Sequence, residues 1–353
     1  MLSDDPFRAT PPEDPVEPSR IFYDGREQEL ELALPSLYEG RNISTNFPIY
    51  HPTKQGAKMK GIITIAGYGT RFLPASKAIP KEMIPIAGAP LIQYHVEGLV
   101  AAGITEIIVV VRGVSEAAQR HFAPTPDLEQ HLEKSGKLEL LKDMRRLSQM
   151  AEVVFVRQPR SLPYGNASPA LAARNWLTSG EPFYYMFGDD IIIGDTPAPQ
   201  QMLDSFNEHQ PAAVLATQSV PDNETHLYGC IEFKTDSDNV MKRIIEKPAP
   251  GAAPSNWVQI GHFVFTPELF DVLESLETGK EGELWLADAV DQLASRSTVI
   301  VQPIEGKWMA AGDPLRQLKA CIEVSLRRDD MRDSLVEYLR EKLSPFTELR
   351  SSS

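Results

Sequence analysis

Between Gly61 and Ile86 the chain reads GIITIAGYGTRFLPASKAIPKEMIPI, a strand-like run that breaks into glycines and then into a loop rich in proline and cations. Gly67 and Gly69 let backbone N–H groups approach an anion closely, and Arg71, Lys77 and Lys81 add the positive charge that backbone lacks. A phosphate chain is the ligand such a loop suits. Much later, EPFYYMFGDDIII reads as a strand ending in Gly188, Asp189 and Asp190. Asp189 is placed there to hold the Mg2+ that a phosphate chain brings with it.

Each motif has a plainer reading on its own, GxG as a strand-to-helix turn and GDD as a loop. GYGTRF carries Phe72 where the third glycine of a dinucleotide fingerprint belongs, and there is no Walker A loop. No Ser/His/Asp or Cys/His arrangement stands out among the seven histidines, and His95, inside an amphipathic helical pattern, reads as structural. What favours a site is strand context. In open α/β sheets ligands collect at the carboxyl ends of strands, and both loops fall at such ends.

The elements that must position them alternate from Met59 onward as short apolar runs and amphipathic stretches, the pattern of βαβ units on a mostly parallel sheet. KGIITIA, ITEIIVVVR, VVFVRQ, the run into GDD, PAAVLATQ, YGCIEFK, VMKRIIEKP and WVQIGHFVF are expected as strands. Helices are expected over APLIQYHVEGLVAAG, PALAARNWL, 267–276, 283–295 and 314–344. Residues 1–20, rich in Pro, Asp and Glu, read as a disordered acidic arm, and 21–58 as an appendage of unassigned role. A catalytic domain over 59–313 and a C-terminal helical segment and tail over 314–353 complete the expected organisation.

The 353 residues are 42% hydrophobic and 24% charged, ordinary for a soluble globular chain with room for a large core. A formal charge of −14 argues against a nucleic-acid surface, so local basic clusters carry more meaning. Cys230 and Cys321 form no CxxC pair, which fits a reducing, cytoplasmic setting. The N-terminus does not read as a secretion signal, and no apolar run reads as a membrane span.

Residues 59 to about 330 resemble the bacterial UTP:glucose-1-phosphate uridylyltransferases, within the sugar-phosphate nucleotidyltransferases. The resemblance rests on AGYGTRFLPASKAIPKEMIPI with its PKEM, then PLIQYHVEGLVAAGITEIIVV, VRQ, YG at 228–229, EKP at 246–248, APSNWVQIGHFVF and ELWLADAVDQL, in the family's order. It implies a Rossmann-like mixed, mostly parallel sheet flanked by helices. It also implies an enzyme forming UDP-glucose and pyrophosphate from UTP and glucose 1-phosphate with Mg2+, assembled as a dimer or tetramer.

The resemblance implies roles too. Ala66, Gly67, Gly69, Thr70, Gln158 and Gly165 would surround the nucleotide, with the Gln158 amide offering the donor and acceptor that a uracil edge needs. Arg71 and Lys81 would bind the phosphates and stabilise charge moving onto pyrophosphate, and Asp189 would ligate the metal. Lys247 would take the sugar phosphate and Glu246 the sugar hydroxyls, with Gly229 and Gly261 closing the hexose pocket. The sequence departs from the pattern at Ser168 and Pro169 in PYGNASPALAA, at His262 in place of a common Arg, and at Trp285 in place of a frequent Gln. It also carries Ala310 where an Asp is usual; an acid restored there is expected to point into the crevice of Asp189 or, if the loop is rebuilt around Trp308, Met309 and Asp313, to lie in an apolar setting and cost stability. These departures leave two alternatives: a catalytically weak regulatory paralogue, or the same chemistry on another nucleotide or sugar 1-phosphate.

Overall fold

Strand one is built from Ile62, Ile63 and Ile65, and its neighbour from Ile107 to Val111, all buried. Runs apolar at every position are what a parallel strand covered on both faces requires. The computed structural model describes residues 59–351 apart from Val114, Lys280 and Glu281. The expected arm and appendage lie outside the described residues, all of which belong to one compact unit.

The strands are β1 (Lys60–Ile65), β2 (Pro85–Ile86), β3 (Ala89–Pro90), β4 (Glu106–Val111), β5 (Glu152–Arg157), β6 (Phe183–Phe187) and β7 (Asp190–Ile193). They continue as β8 (Ala213–Ser219), β9 (Gly229–Phe233), β10 (Met241–Glu246), β11 (Trp257–Phe265), β12 (Val299–Pro303) and β13 (Lys307–Ala310). The helices are α1 (Leu91–Ala101), α2 (Glu116–Phe122), α3 (Pro126–Lys134), α4 (Leu138–Gln149) and α5 (Ser168–Ala173). After them come α6 (Ala198–His209), α7 (Glu268–Ser275), α8 (Leu286–Arg296), α9 (Pro314–Arg327) and α10 (Asp329–Ser351).

The main sheet runs β10-β9-β11-β6-β1-β4-β5, with β8 also paired to β11 and β12 to β8. β6, β1, β4 and β5 are mutually parallel, whereas β11 enters antiparallel. Apolar side chains cover both faces. Ile62, Val110 and Tyr185 pack with Leu269 and Val290 on one side, and Ile63, Val109 and Tyr184 with Val96 and Met202 on the other. This is the mixed, mostly parallel sheet flanked by helices that the sequence implies.

Three elements differ from expectation. The run through GDD is two strands: β6 stays in the main sheet and β7 pairs antiparallel with β13 as a separate ribbon. The cause is at Gly188, where a Cβ would lie 2.3 Å from Ile65 Cγ2 and 2.8 Å from the Thr64 carbonyl oxygen, so the chain turns tightly against β1. The helix expected over 314–344 is broken between α9 and α10 at Arg328, which is extended and donates Nη1 to the Ala87 carbonyl at 2.7 Å. PALAARNWL is helical only to Ala173 and then tightens into a 3-10 turn over Arg174–Trp176.

Candidate active site

Because four parallel strands lie side by side, their carboxyl ends open at one edge. β1 delivers Ala66 and Gly67, β4 delivers Arg112, β5 delivers Gln158, and β6 delivers Gly188 and Asp189. They surround a cleft of about 520 Å³. Its lining includes Ala66, Gly67, Gly69, Thr70, Arg71, Lys81, Gln158, Gly165, Asp189 and Lys247, brought together from separate stretches of chain.

The glycine loop has local reasons for its shape. Gly69 sits at φ +65, a left-handed conformation that favours glycine, and its carbonyl accepts from Ser76 Oγ at 2.8 Å. In PKEM, Lys81 turns into the cleft, while Glu82 is buried and accepts from Ser115 Oγ at 3.1 Å. Burial pushes the Glu82 carboxyl up, with its own backbone and Ser115 hydrogen bonds partly opposing it. One residue of the motif therefore anchors the other.

Lys81 Nζ stands 3.3 Å from Asp189 Oδ2. Burial alone would raise the Asp189 carboxyl, but Lys81, and then Arg71, more than offset it, so the group lies below the usual carboxylate range. Gly312 backs this cluster, since a Cβ on it would sit 3.3 Å from both Asp189 Oδ2 and Arg71 Nη1. The Ala311 amide donates to the Asp189 carbonyl at 2.7 Å. The result is an ionised carboxylate at the lip of a cationic loop, with space kept beside it by a glycine. That donor set suits Mg2+, which takes one or two carboxylates and draws its other ligands from phosphate and water. Among the described residues no group of three or more His, Cys, Asp or Glu converges as a metal cage.

The turn is braced from behind. His95 on α1 is buried beside the Gly188 backbone, and His262 shares a 2.7 Å hydrogen bond between Nδ1 and the Tyr184 hydroxyl. Burial holds the His95 imidazole down to about 4 and that of His262 to about 3. Both are neutral at pH 7, in keeping with the structural reading of His95.

On the far wall, Lys247 adopts φ +46 and donates its amide to the Tyr228 carbonyl at 3.0 Å. Its ammonium lies 3.7 Å from Glu246 and 5.0 Å from the centre of the Trp285 ring, which also lines the cleft. Gly229 and Glu246 are register partners across β9 and β10 and stand beside Lys247 rather than in the lining. Burial raises the Glu246 carboxyl, with Lys247 opposing. Gly261, at φ +75, is set deeper: a Cβ there would meet Phe187 at 2.9 Å and Asp190 Oδ2 at 3.1 Å. Ser168 Oγ is buried and donates to the Pro163 carbonyl, so it shapes the turn into α5.

Ala310 requires a correction. It is the register partner of Asp190, not a neighbour of the Asp189 carboxylate, and successive residues of a strand face opposite ways. An acid there would confront Asp190 across the ribbon instead of entering the crevice of Asp189. Asp313 is already engaged as the N-cap of α9, accepting from the Arg316 amide at 2.9 Å.

Sequence reading passed over Tyr68, Arg112, Tyr164 and Asn166, all in the lining. Arg112 Nε donates to the Ala66 carbonyl at 2.8 Å, and its guanidinium lies 4.4 Å from the Tyr68 ring centre and 4.9 Å from that of Tyr164. Asn166 Oδ1 accepts from the Leu286 amide at 2.7 Å. A signal for Arg112 was present: it directly follows the buried strand next to the glycine strand, at the carboxyl end where ligands gather.

A glycine loop rich in cations, an acidic turn and this sheet suit a nucleotide-handling transferase. The profile of the nucleotidyl transferase family matches residues 60–324, and the chain belongs to that family. Within it, the chain is 39% identical over 287 residues to the UTP--glucose-1-phosphate uridylyltransferase of Bacillus subtilis (strain 168), covering 81% of this chain and 97% of that protein. A UTP-bound UGPase from Acinetobacter baumannii superposes with a TM-score of 0.72 at 30% identity, covering 80% of this chain and 99% of the other. A UDP-glucose pyrophosphorylase complexed with UDP-glucose matches at 0.68 and 29% identity, covering 76% and 99%.

Proposed function

We propose that this chain is a uridylyltransferase that joins UTP and glucose 1-phosphate into UDP-glucose and pyrophosphate. The observation that carries this reading is the Lys81–Asp189 contact inside a cleft whose other walls hold Gln158 and Lys247. The buried Gln158 has a side-chain oxygen with no hydrogen-bond partner, turned to account by an imide N–H of the base. Arg71 and Lys81 neutralise the triphosphate, and Lys247 holds the sugar phosphate against it. The attacking phosphate is already an anion near neutral pH, so no general base is needed and catalysis reduces to alignment and charge neutralisation. Asp189 would hold Mg2+, which supplies electrophilic charge at the phosphates when bound.

Among the described residues no helix is long and apolar enough to cross a membrane. The isolated cysteines support a cytoplasmic setting for this reaction, and a homo-oligomer, dimer or tetramer, belongs to the same reading and is checked by sedimentation. The test of function is pyrophosphate release from a matrix of nucleoside triphosphates against sugar 1-phosphates, with and without Mg2+. UTP with glucose 1-phosphate is expected to be the fastest pair, and only with the metal. A faster pair replaces the substrates, and binding of UTP without release from any pair identifies the weak paralogue.

A further inference from the structure

Tyr68 is 66% exposed and Tyr164 47% exposed, so neither ring serves the core. They come from separate loops, one after β1 and one before α5, yet their ring centres meet 6.1 Å apart with planes 30° from parallel. Arg112 fixes them from one side, its guanidinium over both rings and its Nε tied to the Ala66 carbonyl. Each of these groups lines the cleft beside Gln158, which is only 6% exposed. Exposed aromatic rings stacked across the mouth of a polar cleft are flat, rigid surfaces, and every nucleobase has a π-face to lay on them.

We infer that Tyr68 and Tyr164, braced by Arg112, form a stacked aromatic platform on which the pyrimidine base of the nucleotide lies by its ring face. The inference rests on the nucleotide reading of this cleft, and it separates two tasks within it. Gln158 meets the edge of the base, where bases differ; the tyrosines meet the face, where they scarcely do. Loss of a ring therefore weakens UTP and dTTP by the same factor. Loss of the Gln158 contact also weakens both, because uracil and thymine share one imide edge, but it changes their ratio to CTP, whose edge differs.

The experiment is equilibrium binding by calorimetry, on the full chain in Mg2+ buffer, with UTP, dTTP and inorganic tripolyphosphate as probes. Tyr68→Ala and Tyr164→Ala are each expected to weaken UTP and dTTP alike by about ten-fold, the scale of one base-aromatic contact, and to leave tripolyphosphate unchanged. The double Tyr68→Phe, Tyr164→Phe variant keeps both faces and is expected to bind UTP within about two-fold of the parent. The inference is overturned if both alanine variants keep the parental UTP affinity, or if tripolyphosphate weakens as much as UTP, which would make the rings props of the phosphate loop. A parent that binds UTP no tighter than tripolyphosphate overturns it as well. Absence of turnover beside intact, ring-dependent UTP binding counts against the transferase reading alone.

Discussion

Asp189 and Asp190 are joined by one peptide bond and belong to opposite regions of the molecule. Asp189 ends the turn on the cleft side, facing Lys81 and Arg71, with its carboxyl below the ordinary range. Asp190 opens the ribbon, where Gly261 and Phe187 enclose it and Ala310 stands opposite. The Trp308 indole N–H is nearby but reaches no hydrogen-bonding geometry. Burial, and then the charge of Asp189, pushes the Asp190 carboxyl up to about 8. Residue type and chain position are nearly identical, so the difference comes from what strand alternation turns each side chain toward. Close cations keep Asp189 ionised, whereas at Asp190 burial and the neighbouring carboxylate outweigh the weaker pull of Lys81 and Arg316 and leave a largely neutral packing group.

The sharpest way to break this contrast is to neutralise each acid. We expect Asp189→Asn to lose about three orders of magnitude in turnover, the scale of removing metal-assisted charge stabilisation, and Asp190→Asn to stay within a few fold. Parallel kinetics at saturating Mg2+ check it, and the reverse order would sink the assignment. Next comes the cation pair on opposite walls. Lys81→Ala should cost about 2–4 kcal/mol of transition-state stabilisation with little change in glucose 1-phosphate binding. Lys247→Ala should chiefly raise the KM for glucose 1-phosphate. Matching kinetic signatures for the two would erase the division between the walls.

Smaller effects probe the ribbon side. Ala310→Asp sets a second carboxylate against Asp190 at a half-buried site, and is expected to destabilise by about 1–3 kcal/mol with no gain in activity at any Mg2+ concentration. A variant with tighter metal dependence and unchanged melting temperature would return Ala310 to the cleft. Because the folded Asp190 carboxyl is raised, the folded chain keeps a proton that the unfolded chain releases, so this group's contribution to stability declines as pH rises from about 4 to about 8. Asp190→Asn removes that decline, and its melting temperature relative to the parent should climb by a few degrees between pH 5 and pH 8. A constant difference across that window would refute the raised acid.

What could be read from the sequence follows the range over which its signals act. The apolar runs that build β1, β4 and β6 are local, and so are the glycines and cations of the loop after β1, so these were legible. Asp189 could be picked out with them, because it ends a recognisable strand, whereas Gln158 came only from the family resemblance. The break at Gly188 was not, because it depends on how closely β6 approaches the Thr64 carbonyl. The partnership of Ala310 with Asp190 is a register, fixed only when β7 leaves the main sheet for β13. The meeting of Tyr68, Arg112 and Tyr164 is likewise a contact among three separate loops.

Residues 164–167 are laced to the start of α8 by three hydrogen bonds. The Leu284 amide donates to the Tyr164 carbonyl at 2.7 Å, the Ala167 amide to the Leu284 carbonyl at 3.1 Å, and the Leu286 amide to Asn166 Oδ1 at 2.7 Å. At Gly165 the approach is so close that a Cβ would fall 2.2 Å from the Leu284 carbonyl oxygen. The loop proposed to meet the nucleotide and the segment that carries Trp285 are thus tied together. Occupancy of one half must be felt in the other, and thermodynamic linkage makes that influence reciprocal: whatever factor the sugar phosphate applies to UTP affinity, UTP applies to the sugar phosphate. We expect a coupling of a few fold in the parent that falls toward unity in Asn166→Ala, read from UTP titrations with and without glucose 1-phosphate in Ca2+ buffer. Undiminished coupling in that variant would mean that the two halves communicate by some route other than this seam.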